Sequence, residues 1–326
     1  MKKLIMICMT VVFTSCGSIQ TLTFDQLYPS EVNFPKAVGT IAVVNNMASM
    51  PSPAKGLPQT ASLEGDGRKM AETVAGGLAD SHYFSQVLIC DSALRDKKAV
   101  PGSLKELSAG EVDHLAAQLG ADAILSVDGL HILAHREKVA YEGYGLVNAL
   151  SGQLRSVARI YYPQREGAAL TVAKADTVFW ELSPSLTEHQ VVEDATTHAA
   201  QKLVQRLVPY WRTVNRLYYD DGSPDMRDAA VSVRENDWAS AAESWKQAYD
   251  SRKRGNLKMH AAFNLALAAE MQGQVEDVTR WLDEAGRLAR PGSTDAYAVA
   301  VYRNQWAHRK PMLARLNIQM GRFGNK

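Results

Sequence analysis

The sequence predicts an α+β fold in which a mixed-sheet α/β amino-terminal domain is followed by an all-α helical repeat domain. Short apolar, β-branched runs alternate with amphipathic segments over residues 38–218, which is typical of strands and helices packed in layers. Residues 225–326 instead carry apolar positions at helical spacing, in a pattern that recurs along the chain. The length of 326 residues fits two domains of about 150 residues each.

The composition is that of a globular protein, with 46% hydrophobic and 22% charged residues. This composition excludes disordered, collagen-like and disulfide-scaffold classes. The chain has 36 Lys and Arg against 35 Asp and Glu, so its formal charge is +1. Because binding to nucleic acid requires a clustered excess of cations, we expect no nucleic-acid partner.

Residues 1–15 have the form of a secretory signal peptide. Two lysines near the start precede residues 4–13, which are mostly apolar but fewer than the ~20 that a membrane-spanning helix needs. Thr14 and Ser15 lead directly into Cys16, an arrangement that resembles the lipobox of bacterial lipoproteins of the Bacteroidetes type. The resemblance implies cleavage before Cys16 and attachment of acyl chains to it, which would anchor the protein in a membrane. The alternative is a soluble secreted protein in which Cys16 is incidental.

The lipobox resemblance also implies a place in the bacterial cell envelope, as an outer-membrane lipoprotein. In lipoproteins of this type, a cluster of acids just after the cysteine is associated with surface export. Here the first acid after Cys16 is Asp25, so we expect the periplasmic face of the outer membrane. Residues 16–37 are then a lipidated tether, which puts the α/β domain near the membrane. Cys90 is interpreted as a small buried hydrophobe.

The first half of the α/β domain begins with a buried strand predicted over residues 40–45, where apolar and β-branched residues follow one another. Residues 48–67 contain three prolines and three glycines and predict a loop. A helix over residues 68–81 and a strand over residues 87–90 follow.

Capping signals mark the later helices of this domain. Ser108 and Glu111 form a capping box before a helix that ends at Gly120, and Thr187 begins another capping box. The remaining predicted elements are a strand over 123–128 that continues towards 133, extended segments over 154–162 and 170–180, and a long helix that reaches Leu207.

Three short motifs relate residues 38–133 to a known small α/β domain. They are the opening strand at 41–44, the sequence Tyr-Phe-Ser-Gln-Val at 83–87, and Leu-Gly-Ala-Asp-Ala-Ile-Leu at 119–125. The region resembles the domain shared by the curli-secretion lipoprotein family, the TolB amino-terminal domain and outer-membrane lipoprotein activators of peptidoglycan synthases. The resemblance implies the fold and no specific activity.

The carboxyl-terminal region closely resembles tetratricopeptide repeats. Residues 262–270 are rich in alanine and are followed by Gly273 and the apolar positions Val278, Leu282 and Ala285. An earlier copy aligns over residues 236–248. A third first helix is predicted over 293–308, and Pro311 is expected to begin a final helix. The alternative is an unrelated domain of helical hairpins.

Tetratricopeptide arrays bind partners on the concave face formed by the first helices of successive repeats. Carried over by position, the resemblance implies that side chains of two such helices are exposed and bind an envelope protein or peptide. The partner-binding residues expected are His260, Phe263, Leu267 and Glu270 from one helix, and Tyr297, Val301, Asn304 and Gln305 from the next.

Cations without acids follow Asp295 in the sequence. This run is interpreted either as a solvated capping face or as a contact with an acidic partner or a lipid surface. The cations are Arg303, Arg309, Lys310, Arg315, Arg322 and Lys326.

The sequence contains no phosphate loop, nucleophile elbow or Cys-x-x-Cys motif, and His131 and His135 lack other ligands at metal spacing. We therefore expect no catalytic residue, metal or cofactor, and no enzymatic activity. The arrangement of the whole chain resembles an uncharacterised family of Bacteroidetes lipoproteins.

The function that these observations favour is a lipid-anchored, non-enzymatic envelope scaffold or regulatory protein that binds a peptide or protein partner through its helical repeats. One alternative is a periplasmic ligand-binding protein or hydrolase that uses Asp122, Asp128 and His131 of the α/β domain. Another is an accessory subunit of an outer-membrane export assembly.

Overall fold

The computed structural model describes most of the chain after the expected lipidation site. The signal peptide expected over residues 1–15 and Cys16 lie outside the described residues. Within the described part, no helix is both long enough and apolar enough to cross a membrane. The described residues are 19–48, 60–90, 93–95, 104–141 and 145–323.

The chain divides into two compact units. The α/β unit contains residues 28–210 together with residues 316–326. The helical unit contains residues 211–315 together with the chain up to Leu27. The expected mixed α/β region and the expected carboxyl-terminal helices are therefore both confirmed.

The α/β unit is built on a mixed sheet with the strand order β4-β2-β5-β6-β7. Strand β2 pairs in parallel with β4 and β5, whereas β5–β6 and β6–β7 are antiparallel, and β3 pairs antiparallel with β5. The strand predicted over residues 40–45 is confirmed. The strands are β2 Thr40–Asn45, β3 Thr60–Glu64, β4 Gln86–Cys90, β5 Ala123–Tyr141, β6 Gly145–Tyr161 and β7 Leu170–Glu181.

Three helices complete this unit: α1 Gly67–Asp80, α2 Ala109–Leu119 and α3 Glu188–Leu207. The predicted capping box of α2 is present, since Ser108 N donates to Glu111 Oε2 at 2.7 Å. Its carboxyl end is Gly120, which adopts the left-handed conformation at φ 64°.

Helices cover both faces of the parallel part of the sheet, which explains why β2 reads as a continuous apolar run. Helices α1 and α3 pack on one face, where Met70 and Leu203 lie in one core with Ile41. Helix α2 packs on the other face, where Val112 lies in a second core with Val44. Successive residues of β2 therefore serve two different cores.

Two features of the sheet were not predicted. Part of the segment predicted as a loop over 48–67 forms β3, whose five residues gain their partner only from the distant β5. Strands β5 and β6 have 19 and 17 residues and extend beyond the predicted segments. A side-chain carbon at Gly152 would lie 2.6 Å from the Trp180 ring, so glycine at this position of β6 makes room for that ring within the sheet.

The helical unit contains α4 Pro224–Arg234, α5 Trp238–Asp250, α6 Asn256–Met271, α7 Val275–Leu288 and most of α8 Thr294–Met320. Consecutive helices from α4 to α7 pack against each other. Their shared core includes Trp245, Phe263 and Leu282.

The expectation that Pro311 begins a new helix is wrong, because Pro311 lies inside the continuous helix α8. A proline in a helix interior lacks one amide donor and its ring crowds the carbonyl four residues earlier, yet the helix continues on both sides of Pro311.

A two-stranded sheet in the segments that flank the α/β domain was also not predicted. It consists of β1 Ile19–Tyr28 and β8 Tyr210–Tyr219. Thr23 Oγ1 donates to Asn215 Oδ1 at 2.9 Å, and Thr213 Oγ1 donates to Asp25 Oδ1 at 2.6 Å. These pairs run in opposite directions along the two strands, so the strands are antiparallel. The lipidated tether expected over residues 16–37 therefore contains a strand.

The carboxyl-terminal residues belong to the α/β unit. Gln319 Nε2 donates to the carbonyl oxygens of Ser30 at 3.0 Å and Val32 at 3.1 Å. The Arg322 guanidinium lies 4.2 Å from the centre of the Tyr83 ring and donates to the Val38 carbonyl. These contacts fix the chain end to the segment that leads into β2.

The glycine pair in α1 gives a test of the packing between α1 and α3. Both glycines lie inside the helix, but a side-chain carbon at Gly77 would lie 2.9 Å from Val204, whereas one at Gly76 would meet nothing within 4 Å. We expect Gly77→Ala to lower the free energy of unfolding by about 1 to 3 kcal/mol through overpacking. Gly76→Ala should raise it by up to about 1 kcal/mol, because alanine favours helix. Chemical denaturation of both variants measures this, and equal effects of the two would contradict the packing described.

Candidate functional site

The α6 face, defined as His260, Phe263, Leu267 and Glu270, does not form an exposed groove. Phe263 and Leu267 are 1% and 0% exposed, and the Glu270 side chain is 4% exposed. The expectation that these residues are accessible to a partner is therefore wrong. The physical reason is that strands β1 and β8 of the same unit contact this face.

A buried ion pair joins the two-stranded sheet to α6. The Arg216 guanidinium on β8 donates to Glu270 through Nε at 2.9 Å and through Nη2 at 2.8 Å. Gln26 on β1 donates to the same carboxylate at 3.0 Å, and Tyr302 on α8 donates to it at 2.6 Å. One carboxylate thus collects donors from three other elements of the unit.

Electrostatics keep this carboxylate ionised despite its burial. Burial alone would raise the pKa of Glu270, but the hydrogen bonds and charge of Arg216 outweigh it, and Tyr302 and Gln26 add to the same effect. The net result is a lowered pKa for Glu270. Burial and the neighbouring carboxylate raise the pKa of Tyr302, which therefore stays protonated as a donor.

A second group of polar contacts fixes the end of β8 to α6. The Asn264 side chain accepts from Tyr219 N at 2.9 Å and donates to Tyr219 O at 2.6 Å. The Tyr219 ring stacks on His260 at 3.7 Å between ring centres, and its hydroxyl donates to Asp295 at 2.8 Å. Burial lowers the pKa of His260, although Asp295 opposes this. His260 is thus a packing residue in the wall of the unit.

The α8 face, defined as Tyr297, Val301, Asn304 and Gln305, lies at the surface. Tyr297 is 73% exposed, Asn304 and Gln305 are exposed, and Val301 is half-buried. The structure therefore separates the eight expected partner-binding residues into a sealed α6 face and an open α8 face.

Most of the cations after Asp295 make contacts inside their own units. Arg303 pairs with Asp283 at 2.9 Å, and Lys310 pairs with Glu276 at 3.0 Å. Arg309 donates to the Leu27 carbonyl at 2.7 Å. Together with the Arg322 contacts, these pairs favour a structural use of the run over a surface held open for an acidic partner.

Sequence reasoning missed Gln26 because it lies in the segment expected to be a tether. It missed Arg216 because no strand was predicted in the α/β domain after the helix that reaches Leu207. A signal was present, since residues 21–25 alternate between polar and apolar side chains, with Leu22 and Phe24 on the same side of the strand as Gln26. That period of two is typical of a half-buried strand.

In the α/β unit, the polar residues named as an alternative site have separate roles. Asp122 Oδ2 accepts from Gly39 N at 2.9 Å and Thr40 N at 2.8 Å, and it thereby fixes the start of β2. Asp128 follows six residues later, which along a strand corresponds to about 20 Å. The structure therefore does not bring Asp122 together with Asp128 and His131.

The Asp128 carboxylate is fully buried at an irregularity in β5. It accepts from Asn46 at 2.7 Å, from Ser126 at 2.6 Å and from Arg159 at 2.9 Å. Burial raises the pKa of Asp128, and these donors oppose that effect. Both carboxylate oxygens therefore accept hydrogen bonds from side chains of the α/β unit.

A cavity of about 390 Å³ lies beside this carboxylate, next to the carboxyl end of β2. Crevices at the carboxyl ends of parallel strands are common ligand sites in α/β folds. Glu64 lies 3.3 Å from His131 in the wall. Arg155, an exposed wall residue that sequence reasoning also missed, makes no hydrogen bond or ion pair with any described residue. The wall consists of Met47, Ala48, Glu64, Leu104, Asp128, Gly129, Leu130, His131, Arg155 and Val157.

A wider depression of about 670 Å³ lies on the outer surface of α5 and α7. It is open, and charged residues in it are paired, as with Glu284 and Arg287 at 2.7 Å. Tyr249 also donates to Glu284, at 2.7 Å. This surface therefore offers few unpaired groups. Among the residues that the structure describes, no group of three or more His, Cys, Asp and Glu side chains could hold a metal ion.

A comparison with protein families identifies the family to which the α/β region belongs. A family model described as a domain of unknown function (DUF8603) matches residues 38–219, which is more than half of the chain. The chain belongs to this family. A second model, also described as a domain of unknown function (DUF6340), matches residues 227–307, so the DUF8603 region is followed by a second recognised region. No curated protein matches the chain.

Two solved structures show distant likeness to this DUF8603 member. A structure described as the PelC dodecamer from Paraburkholderia phytofirmans has a TM-score of 0.28 and 12% identity, with coverage of 59% of this chain and 99% of that chain. The hypothetical protein CT253 from Chlamydia trachomatis has a TM-score of 0.25 and 13% identity, with coverage of 52% and 96% respectively.

The buried ion pair gives a direct test of the sealed α6 face. Glu270→Gln leaves the Arg216 guanidinium buried without its counter-charge, so we expect a loss of about 3 to 5 kcal/mol in the free energy of unfolding. Denaturation followed by tryptophan fluorescence reports on this unit, because Trp245 and Trp306 are buried in it. The control is Glu276→Gln in the same unit, which breaks an exposed pair with Lys310 and should cost about 0 to 1 kcal/mol.

The same variant predicts a pH dependence. Because the pKa of Glu270 is lowered by folding, its contribution is complete above the unfolded value of about 4.3 and is lost as the pH falls through the folded value. The stability difference between the wild type and Glu270→Gln should therefore shrink in acid. A difference that stays constant down to the folded pKa and below would contradict the ionised pair.

Proposed function

We propose that the protein is a lipid-anchored, non-enzymatic scaffold or regulatory protein of the bacterial cell envelope. Cys16 anchors it in the outer membrane at the periplasmic face, and the helical unit binds a peptide or protein partner. The anchoring is supported by the cationic start, the short apolar run and the Thr-Ser-Cys sequence. In the described residues, the buried carboxylates of Asp128 and Glu270 serve structural ion pairs, which supports a binding role over a catalytic one.

The helical unit is assigned to the tetratricopeptide-like class. Its support is the equivalence of two helix pairs, α4–α5 and α6–α7. The turns inside the pairs contain Asn236 at φ 59° and Gly273 at φ 71°, which are equivalent positions in the left-handed conformation. The apolar positions that follow each turn are buried in both pairs: Ala241, Trp245 and Ala248 in α5, and Val278, Leu282 and Ala285 in α7.

The partner surface in this proposal is the α8 face. In a repeat array, the first helix of each pair packs against the second helix that follows it. If α8 is such a first helix, an amphipathic helix from another protein can pack on its exposed face in the same way. The observation that carries this assignment is the 73% exposure of the Tyr297 ring beside Val301. Exposed aromatic side chains with adjacent amides are typical of interface residues.

A second candidate function is ligand binding by the α/β unit. The observation that favours it is the cavity of about 390 Å³, a volume within the usual range for small-molecule sites. Arg155 and His131 would bind an anionic group, and Leu104 and Val157 would contact an apolar portion.

Site-specific photo-crosslinking in cells tests the partner surface. A photoreactive phenylalanine replaces Tyr297 in one strain and Phe179 in another, because Phe179 is an aromatic residue of β7 that is also well exposed, at 57%. We expect a discrete envelope protein to be linked at position 297 and not at position 179. An added Asn304→Arg substitution should reduce the yield at 297 at least about tenfold, as for a contact near the centre of an interface.

The proposal for the α8 face is overturned if position 297 gives no adduct, or if it gives the same adducts as position 179. Adducts that survive Asn304→Arg without loss also contradict it. Wild-type unfolding midpoints for the variants exclude misfolding as the cause of any loss.

A further inference from the structure

The distance between Cys16 and the folded protein is short. Strand β1 begins at Ile19, three residues after Cys16. Three residues span at most about 10 Å when fully extended. Because the described residues of β1 up to Leu27 belong to the helical unit, an acyl chain on Cys16 would attach that unit directly to the membrane surface.

The first residue of β1 lies level with the end of β8. The side-chain pairs Thr23–Asn215 and Asp25–Thr213 set the register, and the same register places Ile19 opposite Tyr219. Tyr219 is in turn fixed to α6 through both hydrogen bonds of the Asn264 amide. The start of β1 therefore lies at about the level of Asn264 along the axis of α6.

Helix α6 extends past this level in the direction from which the chain enters β1. It begins at Asn256, and the rise of 1.5 Å per residue places that residue about 12 Å beyond Asn264. The α5–α6 loop, residues 251–255, comes just before Asn256. The loop lies at the same end of the unit as the start of β1. Its distance beyond the level of Ile19, about 12 Å, is close to the ~10 Å that the chain from Ile19 to Cys16 can span.

The loop presents a compact positive charge. Arg252, Lys253 and Arg254 are all exposed, and their side chains form no ion pair with any described residue. Lys258 holds the loop in place, since its Nζ donates to the carbonyl oxygens of Tyr249 at 3.1 Å and Arg252 at 3.0 Å. Lys258 adds a fourth cation at the base of the loop.

Two described acids of the helical unit, one of which directly precedes the loop, pair with other cations. Asp250 pairs with Lys246, and Asp221 lies 3.7 Å from Arg227. The three loop cations therefore have no local counter-charge from these groups.

We propose that the α5–α6 loop is a membrane contact that binds the head groups of anionic phospholipids. The proposal rests on the anchoring at Cys16 given under the proposed function. It adds that the helical unit lies against the bilayer through this loop, with the cations Arg252, Lys253 and Arg254 at the level of the lipid phosphates. A cationic cluster beside an acyl anchor is a second signal that strengthens membrane attachment.

Fluorescence quenching by lipids that carry a quencher on the head group tests the contact. The acylated full-length protein is purified from membranes and reconstituted into vesicles of phosphatidylcholine with or without phosphatidylglycerol. In a Cys90→Ser background, Ser251→Cys carries the probe in the loop, and Ala239→Cys carries it at the other end of α5. We expect at least about threefold stronger quenching at 251 than at 239 in anionic vesicles.

Neutralising the cations tests the chemistry of the contact. Each Lys or Arg near an anionic surface adds roughly fivefold to binding, so the triple change Arg252→Gln, Lys253→Gln and Arg254→Gln should reduce quenching at 251 several-fold. A matched variant that removes three exposed cations of the α/β unit should leave quenching unchanged. Its substitutions are Lys138→Gln, Arg165→Gln and Lys174→Gln.

Mass spectrometry of the Cys16 peptide from the same sample separates the two proposals. A peptide without acyl chains overturns the anchoring and the loop contact together. If the protein is acylated, three results overturn the loop contact alone. They are equal quenching at 251 and 239, quenching that does not depend on phosphatidylglycerol, and a triple variant that behaves like the wild type. The proposed function would then stand with a different membrane-facing surface.

Discussion

The helical unit depends on one buried interaction, the ion pair between Arg216 and Glu270. Both side chains are about 95% removed from solvent, at 5% and 4% exposure. The pair connects β8 to α6, and the additional donors Gln26 and Tyr302 bring β1 and α8 to the same carboxylate. Removing one partner of a buried ion pair is strongly destabilising. We therefore expect β1, β8, α6 and α8 to unfold together.

This constraint determines which surfaces are available for binding. Since β1 and β8 cover the α6 face, the helical unit has no open groove at those described residues, and the α8 face is the part of the expected surface that remains exposed. The same strand β1 shortens the connection to Cys16 to three residues. In the proposed function, this one segment, which was expected to be a tether, leaves the α8 face open for the partner and brings the start of β1 close to the membrane.

The sequence allowed the local elements to be predicted, because their signals are local. The β-branched run of β2, the capping box at Ser108 and the left-handed Gly120 each involve residues that are close in sequence. The pairing of β1 with β8 could not be predicted in this way, because Thr23 and Asn215 are 192 residues apart. The burial of α6 had a signal in the sequence that was misread. Apolar residues occur on every side of this helix, which is typical of an interior position, and residues 259–269 are all buried in the structure.

The central claim is that β1 is paired with β8 in the folded protein, and an engineered disulfide tests it most directly. Thr23→Cys with Asn215→Cys places two thiols at directly opposed positions on the exposed side of the strands, within the range that a disulfide spans. The control is Thr23→Cys with Thr213→Cys, a diagonal pair, and both are made with Cys90→Ser. We predict nearly complete oxidation of the 23–215 pair under mild conditions and much less of the 23–213 pair. No disulfide at 23–215, or equal yields from both pairs, would contradict the pairing of β1 with β8 and would favour the tether that the sequence alone predicts over residues 16–37.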